Sequence, residues 1–267
     1  MKTVSFEKDG NIGLITLNRP QRLNALSFTM VRELHRILDA LDQDLETHVV
    51  VLTGAGRGFC SGFDLKGGDA EGAWDRRVGQ IQSHYRLQQG YASLVLKMRQ
   101  ISQPIIAAVN GTANGGGFCL ALAADIRYAS SSAQFNCAFV KLGLSSGDMG
   151  LSYFLPRIIG ASAAAELMYT GRLVGAQAAL EMGLVSKVVP DGEVVGAAKA
   201  LAAEMVQNSP FGLRMTKEIL NLGLSAPSLE HQIHLENRTQ AIGAFTEDFR
   251  EGVASFLEKR PPKYGDR

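Results

Sequence analysis

The chain has 267 residues, 46% of them hydrophobic, with 27 basic and 26 acidic side chains. That supports one large core or two modest domains, and the near-balance of charge argues against nucleic acid or an anionic membrane as a partner. No apolar run reaches the roughly 18 residues that cross a bilayer, and Met1-Lys2-Thr3-Val4-Ser5-Phe6 lacks the apolar segment of a secretory leader. Cys60, Cys119 and Cys137 are scattered and odd in number. They read as reduced thiols of a cytoplasmic protein, without zinc-finger spacing.

In chain order, residues 2–17 read as a hairpin turning at Asp9-Gly10-Asn11. A largely polar connection runs from Asn18 to Leu26. Ser27 then caps a helix with Met30, Leu34, Ile37, Leu38 and Leu41 on one face. Val49-Val50-Val51-Leu52 is a buried strand, followed by the glycine-rich loop Gly54 to Gly62. The stretch Asp64 to Trp74 is polar, glycine-rich and expected to be mobile. A long helix spans about 78–101.

Pro104-Ile105-Ile106-Ala107-Ala108-Val109 is a second buried strand. It leads through Gly111-Thr112-Ala113-Asn114-Gly115-Gly116-Gly117 into a small-residue helix near Leu120–Asp125. Ile126-Arg127-Tyr128-Ala129 is a further strand. Alternating strands and helices point to an α/β core with parallel strands. Beyond about residue 160 the chain reads as helical: 161–169, 176–182, 194–207, 212–222 and 228–258. Such an end needs a surface to pack on, and oligomer contacts would supply it.

The triple glycine lets a backbone approach a ligand closely, at the N-terminus of a helix whose first N–H groups lack partners. Such a turn holds a phosphate, a carboxylate or a developing oxyanion. It also serves as a plain tight turn, and the glycines alone do not choose. Neither glycine loop fits the dinucleotide fingerprint or a P-loop. Two loops at one sheet edge can instead each give one N–H to a shared oxygen.

Other residues admit plain readings. Gly143-Leu144-Ser145-Ser146-Gly147 matches a nucleophile elbow but lacks a clear preceding strand, leaving a serine hydrolase as a minor alternative. Asp148 caps a helix over 149–156 or points a carboxylate into a site. His35, His48, His84, His231 and His234 read as structural or surface residues. Trp74 and Tyr85 either line a pocket or pack in the core.

Taken together, the chain resembles the enoyl-CoA hydratase/isomerase (crotonase) family over nearly its full length. The matching pieces are Asn18-Arg19-Pro20, Leu23-Asn24-Ala25-Leu26, Phe59 to Lys66, Ala107 to Gly111 with the triple glycine, and Ala133-Gln134-Phe135. They continue with Arg157-Ile158-Ile159-Gly160, Glu181 to Val185 and Glu251 to Arg260. The resemblance implies a crotonase-like ββα spiral core over 1–200. It also implies a C-terminal helical region over 201–267 that builds trimers, often paired into hexamers.

By the same resemblance the ligand is an acyl-CoA thioester, its oxygen held by the N–H groups of Phe63 and Gly116. Coenzyme A would lie along Gln21, Arg22 and Leu23, Cys60 and Lys66, with Phe256 and Lys259 coming from a neighbouring subunit. Coenzyme A is carried as part of the substrate, and neither a separate cofactor nor a metal is implied.

The departures from the family are chemical. Hydratases of the family use two glutamates to position and activate water. The corresponding positions here are Cys119 and Phe139. Asp148 is the best remaining carboxylate, in surroundings similar to the 4-chlorobenzoyl-CoA dehalogenase branch. That branch carries a histidine base where this chain has Ala92, and the spacing from Phe139 to Asp148 is longer here, so dehalogenation does not carry over. The expectation is hydratase or isomerase chemistry on a non-standard substrate, with Asp148 moving the proton. The rivals are a non-catalytic acyl-CoA-binding protein and a CoA-thioester hydrolase using Asp148.

Overall fold

The structure is a computed structural model and describes residues 2–66 and 78–266. Strand β1 (Val4–Asp9) pairs antiparallel with β2 (Ile12–Leu17), in register from Val4 opposite Leu17 to Asp9 opposite Ile12. Gly10 supplies the positive φ of 57° at the turn. Ser27 caps α1 (Phe28–Asp42), its hydroxyl accepting from Met30 N at 3.2 Å. Met30, Val31, Leu34, Leu38 and Leu41 are buried along one face of that helix, and Ile37 packs beside them.

The centre is built from strand pairs. β3 (Val49–Gly54) is followed by β4 (Gly58–Cys60), β5 (Ile105–Val109) by β6 (Thr112–Asn114), and β7 (Ile126–Ser130) by β8 (Gln134–Asn136). The first strand of each pair joins a six-stranded sheet, the second a four-stranded one. The larger sheet runs β1-β2-β3-β5-β7-β10 with β10 at Lys187–Val189, and the smaller runs β4-β6-β8-β9 with β9 at Leu173–Gly175. Helix α2 (Gln80–Gln100) connects the first pair to the second, and α3 (Gly116–Ala123) the second to the third.

Strands β3 and β5 are buried on both faces, which explains their unbroken apolar runs. Their side chains sort by alternation. Val50, Leu52, Ile105, Ala107 and Val109 face the main core, while Val49, Val51, Ile106 and Ala108 face α7 (Val194–Met205) through Val194, Ala198 and Ala202. All eight residues of α3 are buried, as an apolar, small-residue helix requires.

Helices α4 (Leu151–Ile159), α5 (Ala161–Thr170) and α6 (Ala176–Glu181) follow the strand pairs. The helical end consists of α8 (Pro210–Gly223), α9 (Leu229–Gly243) and α10 (Glu247–Glu258). The single helical stretch expected over 228–258 is therefore two helices, broken where Thr246 caps α10 by accepting from Phe249 N. Lys217 ties α8 to the core. It is 4% exposed and donates to Met98 O at 2.9 Å and Gln103 O at 2.7 Å, with Asp125 Oδ2 at 3.2 Å.

Between α8, α9 and α10 runs a groove of about 950 Å³, lined by side chains including Phe211, Met215, Ile219, Phe249 and Val253. Phe245, Phe256 and Leu257 are 81%, 82% and 73% exposed nearby. Among the described residues no helix is long and apolar enough to cross a membrane.

Candidate active site

The polar connection before α1 supports both glycine loops. Asn24 is fully buried. Its Oδ1 accepts from Arg19 N at 2.8 Å, and its Nδ2 donates to Ala55 O at 2.9 Å and Gly58 O at 2.7 Å. Arg19 also donates to Asp64 Oδ2 at 2.7 Å and to Ala25 O at 2.6 Å. Leu26 then bridges to Phe63: Leu26 N donates to Gly62 O at 2.7 Å, and Asp64 N to Leu26 O at 3.1 Å. In that parallel bridge the residues flanking Phe63 serve Leu26, so the Phe63 N–H points to the opposite side.

Gly116 opens α3, so its N–H has no carbonyl partner within the helix. The two loops touch. A Cβ on Gly62, whose φ is +93°, would sit 2.9 Å from Asn114 O and 3.4 Å from Gly116 N. A Cβ on Gly117 would collide with Cys60 O at 2.1 Å. These glycines are therefore required by close backbone approach.

Gly116 is surrounded by apolar side chains. A Cβ there would meet Leu26 Cδ1 at 3.2 Å, Met149 Sδ at 3.3 Å and Phe63 Cε1 at 3.4 Å. The Phe63 ring packs edge-on against Tyr91, with centroids 4.7 Å apart, and lies 6.1 Å from Phe139. Cys119 is buried, and its thiol donates to the main-chain carbonyl of Asp148 at 3.5 Å. Cys119 and Phe139 thus place a thiol and a phenyl ring, both uncharged, close to the second glycine loop.

Asp148 does not cap α4. Gly150 is the residue before that helix, and it makes no side-chain cap. Met149 and Gly150 take positive φ values of 43° and 78°, and this turn brings Leu151 N to Asp148 O at 2.8 Å. The Asp148 carboxylate is half-buried, and Gln88 Nε2 donates to its Oδ1. Burial pushes the carboxyl above its ordinary range, and the Met149 N–H and Gln88 partly offset that shift. Burial and the nearby Asp148 charge hold the Cys119 thiol neutral, well above its ordinary value. Burial raises Cys60 to about 12, and also Cys137 to about 12. All three thiols are therefore weak nucleophiles at neutral pH.

The residues expected to hold coenzyme A fall into two groups. Gln21 and Arg22 lie in a 3₁₀ turn at Pro20–Arg22, and Leu23 accepts from Ser61 N at 2.9 Å. Arg22 reaches Asp64 at 3.8 Å, and Lys66 is exposed one turn further on. These residues flank the first glycine loop. Cys60 lies in that loop too, but its side chain is wholly buried. Phe256 and Lys259 lie on the exposed end of α10, and Lys259 closes that helix with a φ of 54°.

Several plain readings are settled by geometry. Ser145 follows a 3₁₀ turn at Ala138–Leu142 rather than a strand, and its hydroxyl accepts from Gly147 N at 3.0 Å. The elbow context is therefore absent. His35 Nε2 lies 2.9 Å from Gly90 O and 3.2 Å from Ser93 Oγ, a structural role. His231 and His234 are exposed on α9. Tyr85 is 59% exposed rather than packed in the core. Trp74 and most of the stretch Asp64 to Trp74 lie outside the described residues.

Sequence reasoning missed Gln88, Tyr91 and Met149. The signal for Gln88 is its spacing: it stands three residues before Tyr91 and seven before Val95, on the helix face that meets the site. Val95 Cγ1 lies 3.4 Å from the Cβ position of Gly150.

The enoyl-CoA hydratase/isomerase family model matches residues 7–267. A probable enoyl-CoA hydratase of Mycobacterium bovis is 45% identical over 258 residues, covering 96% of this chain and 90% of that protein. The 1,2-epoxyphenylacetyl-CoA isomerase of Escherichia coli is 37% identical over 268 residues, covering 99% of this chain and 98% of that protein. The crystal structure of a probable enoyl-CoA hydratase/isomerase from Mycobacterium abscessus superposes with a TM-score of 0.90 at 38% identity, covering 99% of each chain. The strand pairs described above are thus a crotonase-type fold, and the chain belongs to the enoyl-CoA hydratase/isomerase family.

Proposed function

We propose that the protein is an acyl-CoA isomerase that moves a proton through a thioester enolate, using Asp148 as the single carboxylate. The observation that carries this reading is the set of side chains around Gly115 and Gly116. The half-buried Asp148 adjoins Met149, which meets Gly116, and the neutral Cys119 thiol lies on the Asp148 main-chain carbonyl, while the Phe139 ring lies against Gly115 and Phe63.

Water addition needs groups that hold and deprotonate a water at the reacting carbons. A thiol and a phenyl ring supply neither. A double-bond shift needs less. Asp148 takes the C2 proton of a 3-enoyl thioester, and the electron pair moves to the thioester oxygen. The Phe63 and Gly116 N–H groups hold that oxygen, each donor contributing about 3 kcal/mol by analogy with other oxyanion holes. Protonated Asp148 then delivers the proton to C4, leaving the double bond between C2 and C3.

Coenzyme A lies along Gln21, Arg22, Leu23 and Lys66, with Arg22 and Lys66 facing its phosphates. Cys60 contributes through its backbone, since its thiol is buried. Residues 201–267 form the oligomerising region of a trimer or hexamer, in which a second copy covers the groove between α8 and α10. Phe256 and Lys259 then reach the coenzyme A bound to a neighbouring subunit.

The test is turnover of 3-enoyl-, dienoyl- and aryl-CoA thioesters, with isomers separated chromatographically. Isomerised product from wild type and none from Asp148→Asn is the expected result. A hydrated or hydrolysed main product, or equal turnover by both proteins, overturns the reading.

A further inference from the structure

We infer that Gln88 is a positioning residue: its amide, donating from the neighbouring helix, holds the Asp148 carboxylate in place. This deepens the isomerase reading and rests on it.

Helix α2 runs along the turn that carries Asp148. Gln88 Nε2 donates to Asp148 Oδ1. One turn further on, Tyr91 packs against Phe63 at 4.7 Å. A turn beyond that, Val95 lies against the Cβ position of Gly150. The same helix face thus contacts residues 63, 148 and 150. The turn itself leaves Met149 in a left-handed conformation, which a non-glycine residue adopts only when its surroundings impose it.

Among the described residues, Gln88 Nε2 and the Met149 N–H donate to the carboxylate, and the Cys119 thiol lies on the main-chain carbonyl of the same residue. Cys119 is neutral, so it neither attracts nor neutralises the carboxylate. A donor amide stabilises a carboxylate over the protonated acid, which has less need of the donor. Burial acts in the opposite direction. Gln88 therefore offsets part of the cost of ionising a half-buried base.

The test is a ¹³C-carboxyl NMR titration of aspartate-labelled protein, with Asp148→Asn identifying the resonance, beside pH profiles of kcat/KM. The variants are Gln88→Met, which removes the donor at nearly constant volume, and Gln88→Glu, which adds a like charge. Exposed Gln89→Met is the control. The expected midpoint of Asp148 rises from wild type to Gln88→Met and rises further in Gln88→Glu. The acidic limb of kcat/KM moves with it, so activity lost near neutrality returns at higher pH.

A Gln88→Met midpoint at or below that of wild type overturns the inference, even where Asp148→Asn is inactive and the isomerase reading stands. Full activity in Asp148→Asn overturns both. A loss of activity in Gln88→Met that is equal at every pH also overturns it, because that is what a packing role alone produces.

Discussion

The Cys119 thiol donates to the main-chain carbonyl of Asp148 at 3.5 Å. A buried thiol on α3 thus supports the backbone that carries the Asp148 carboxylate. If the thiol serves only there, Cys119→Ala lowers stability by about 1 kcal/mol, the loss of one small buried group. Isomerase turnover stays near the wild-type value. Chemical denaturation and kcat together check this, and a loss of turnover as deep as that of Asp148→Asn contradicts it.

Adjacent glycines separate folding from function. In Gly117→Ala the new Cβ meets the Cys60 carbonyl at 2.1 Å, where backbone must move. The expected cost is about 2–3 kcal/mol. In Gly116→Ala the Cβ meets the ends of Leu26, Met149 and Phe63 at 3.2–3.4 Å. Those side chains yield, so the protein folds, but the methyl group crowds the N–H proposed to hold the thioester oxygen, and kcat/KM falls. Thermal unfolding and kinetics of the two variants distinguish these effects.

Asp148→Asn is expected to lower kcat about 10²–10⁴-fold, the usual contribution of a proton-transferring side chain. The stability effect has the opposite sign. Burial raises the folded-state value of the carboxyl, so the ionised form weakens the fold once pH passes above the ordinary carboxylate range. Asp148→Asn is therefore slightly more stable than wild type at neutral pH. That advantage fades as pH falls below the ordinary range, where both folded and unfolded Asp148 are protonated. Unfolding curves from acidic to neutral pH check the sign.

Lys217 gives a second pH signature far from the site. Burial lowers its ammonium to about 8 from an ordinary value of 10.5, although Asp125 opposes the shift. Between those values the unfolded chain binds the extra proton, so the wild-type fold gains stability as pH rises through about 8. Lys217→Met leaves Met98 O and Gln103 O without this donor and is less stable. Its deficit relative to wild type widens from about pH 8 to 10.5 and then levels off. A constant deficit across that range contradicts the assignment.

The helical end carries its own test. Phe249→Asp paired with Val253→Asp places two charges in the groove between α8 and α10. If a second copy covers that groove, light scattering after size exclusion reports a smaller assembly than for wild type. An unchanged mass contradicts the trimer or hexamer.

Long periodic elements were legible because their packing repeats. The stripe of α1 and the apolar runs of β3 and β5 follow from burial on one face or on two. The smaller sheet was not legible, because β4 and β6 are three residues each and sit inside glycine loops. Three residues do not establish an alternation. The split between α9 and α10 left only a faint trace, Gly243 followed by the capping Thr246. Phe63 and Gly116 came from the family motif and fall in touching loops. Gln88 was missed because its partner is 60 residues away: its spacing from Tyr91 and Val95 marks the helix face but does not name the residue across from it. Asp148 was ambiguous because cap and site residues look alike until the left-handed Met149 and Gly150 separate it from α4.

The central claim is proton transfer by one carboxylate through an enolate. The most direct test is incubation of trans-3-hexenoyl-CoA with wild type and Asp148→Asn in deuterium oxide, followed by ¹H NMR and mass spectrometry. The expected result is trans-2-hexenoyl-CoA from wild type, with part of the C2 hydrogen carried to C4 and the rest replaced by deuterium, and none from the variant. A 3-hydroxy product as the main species, or isomerisation that survives the loss of Asp148, would contradict the claim.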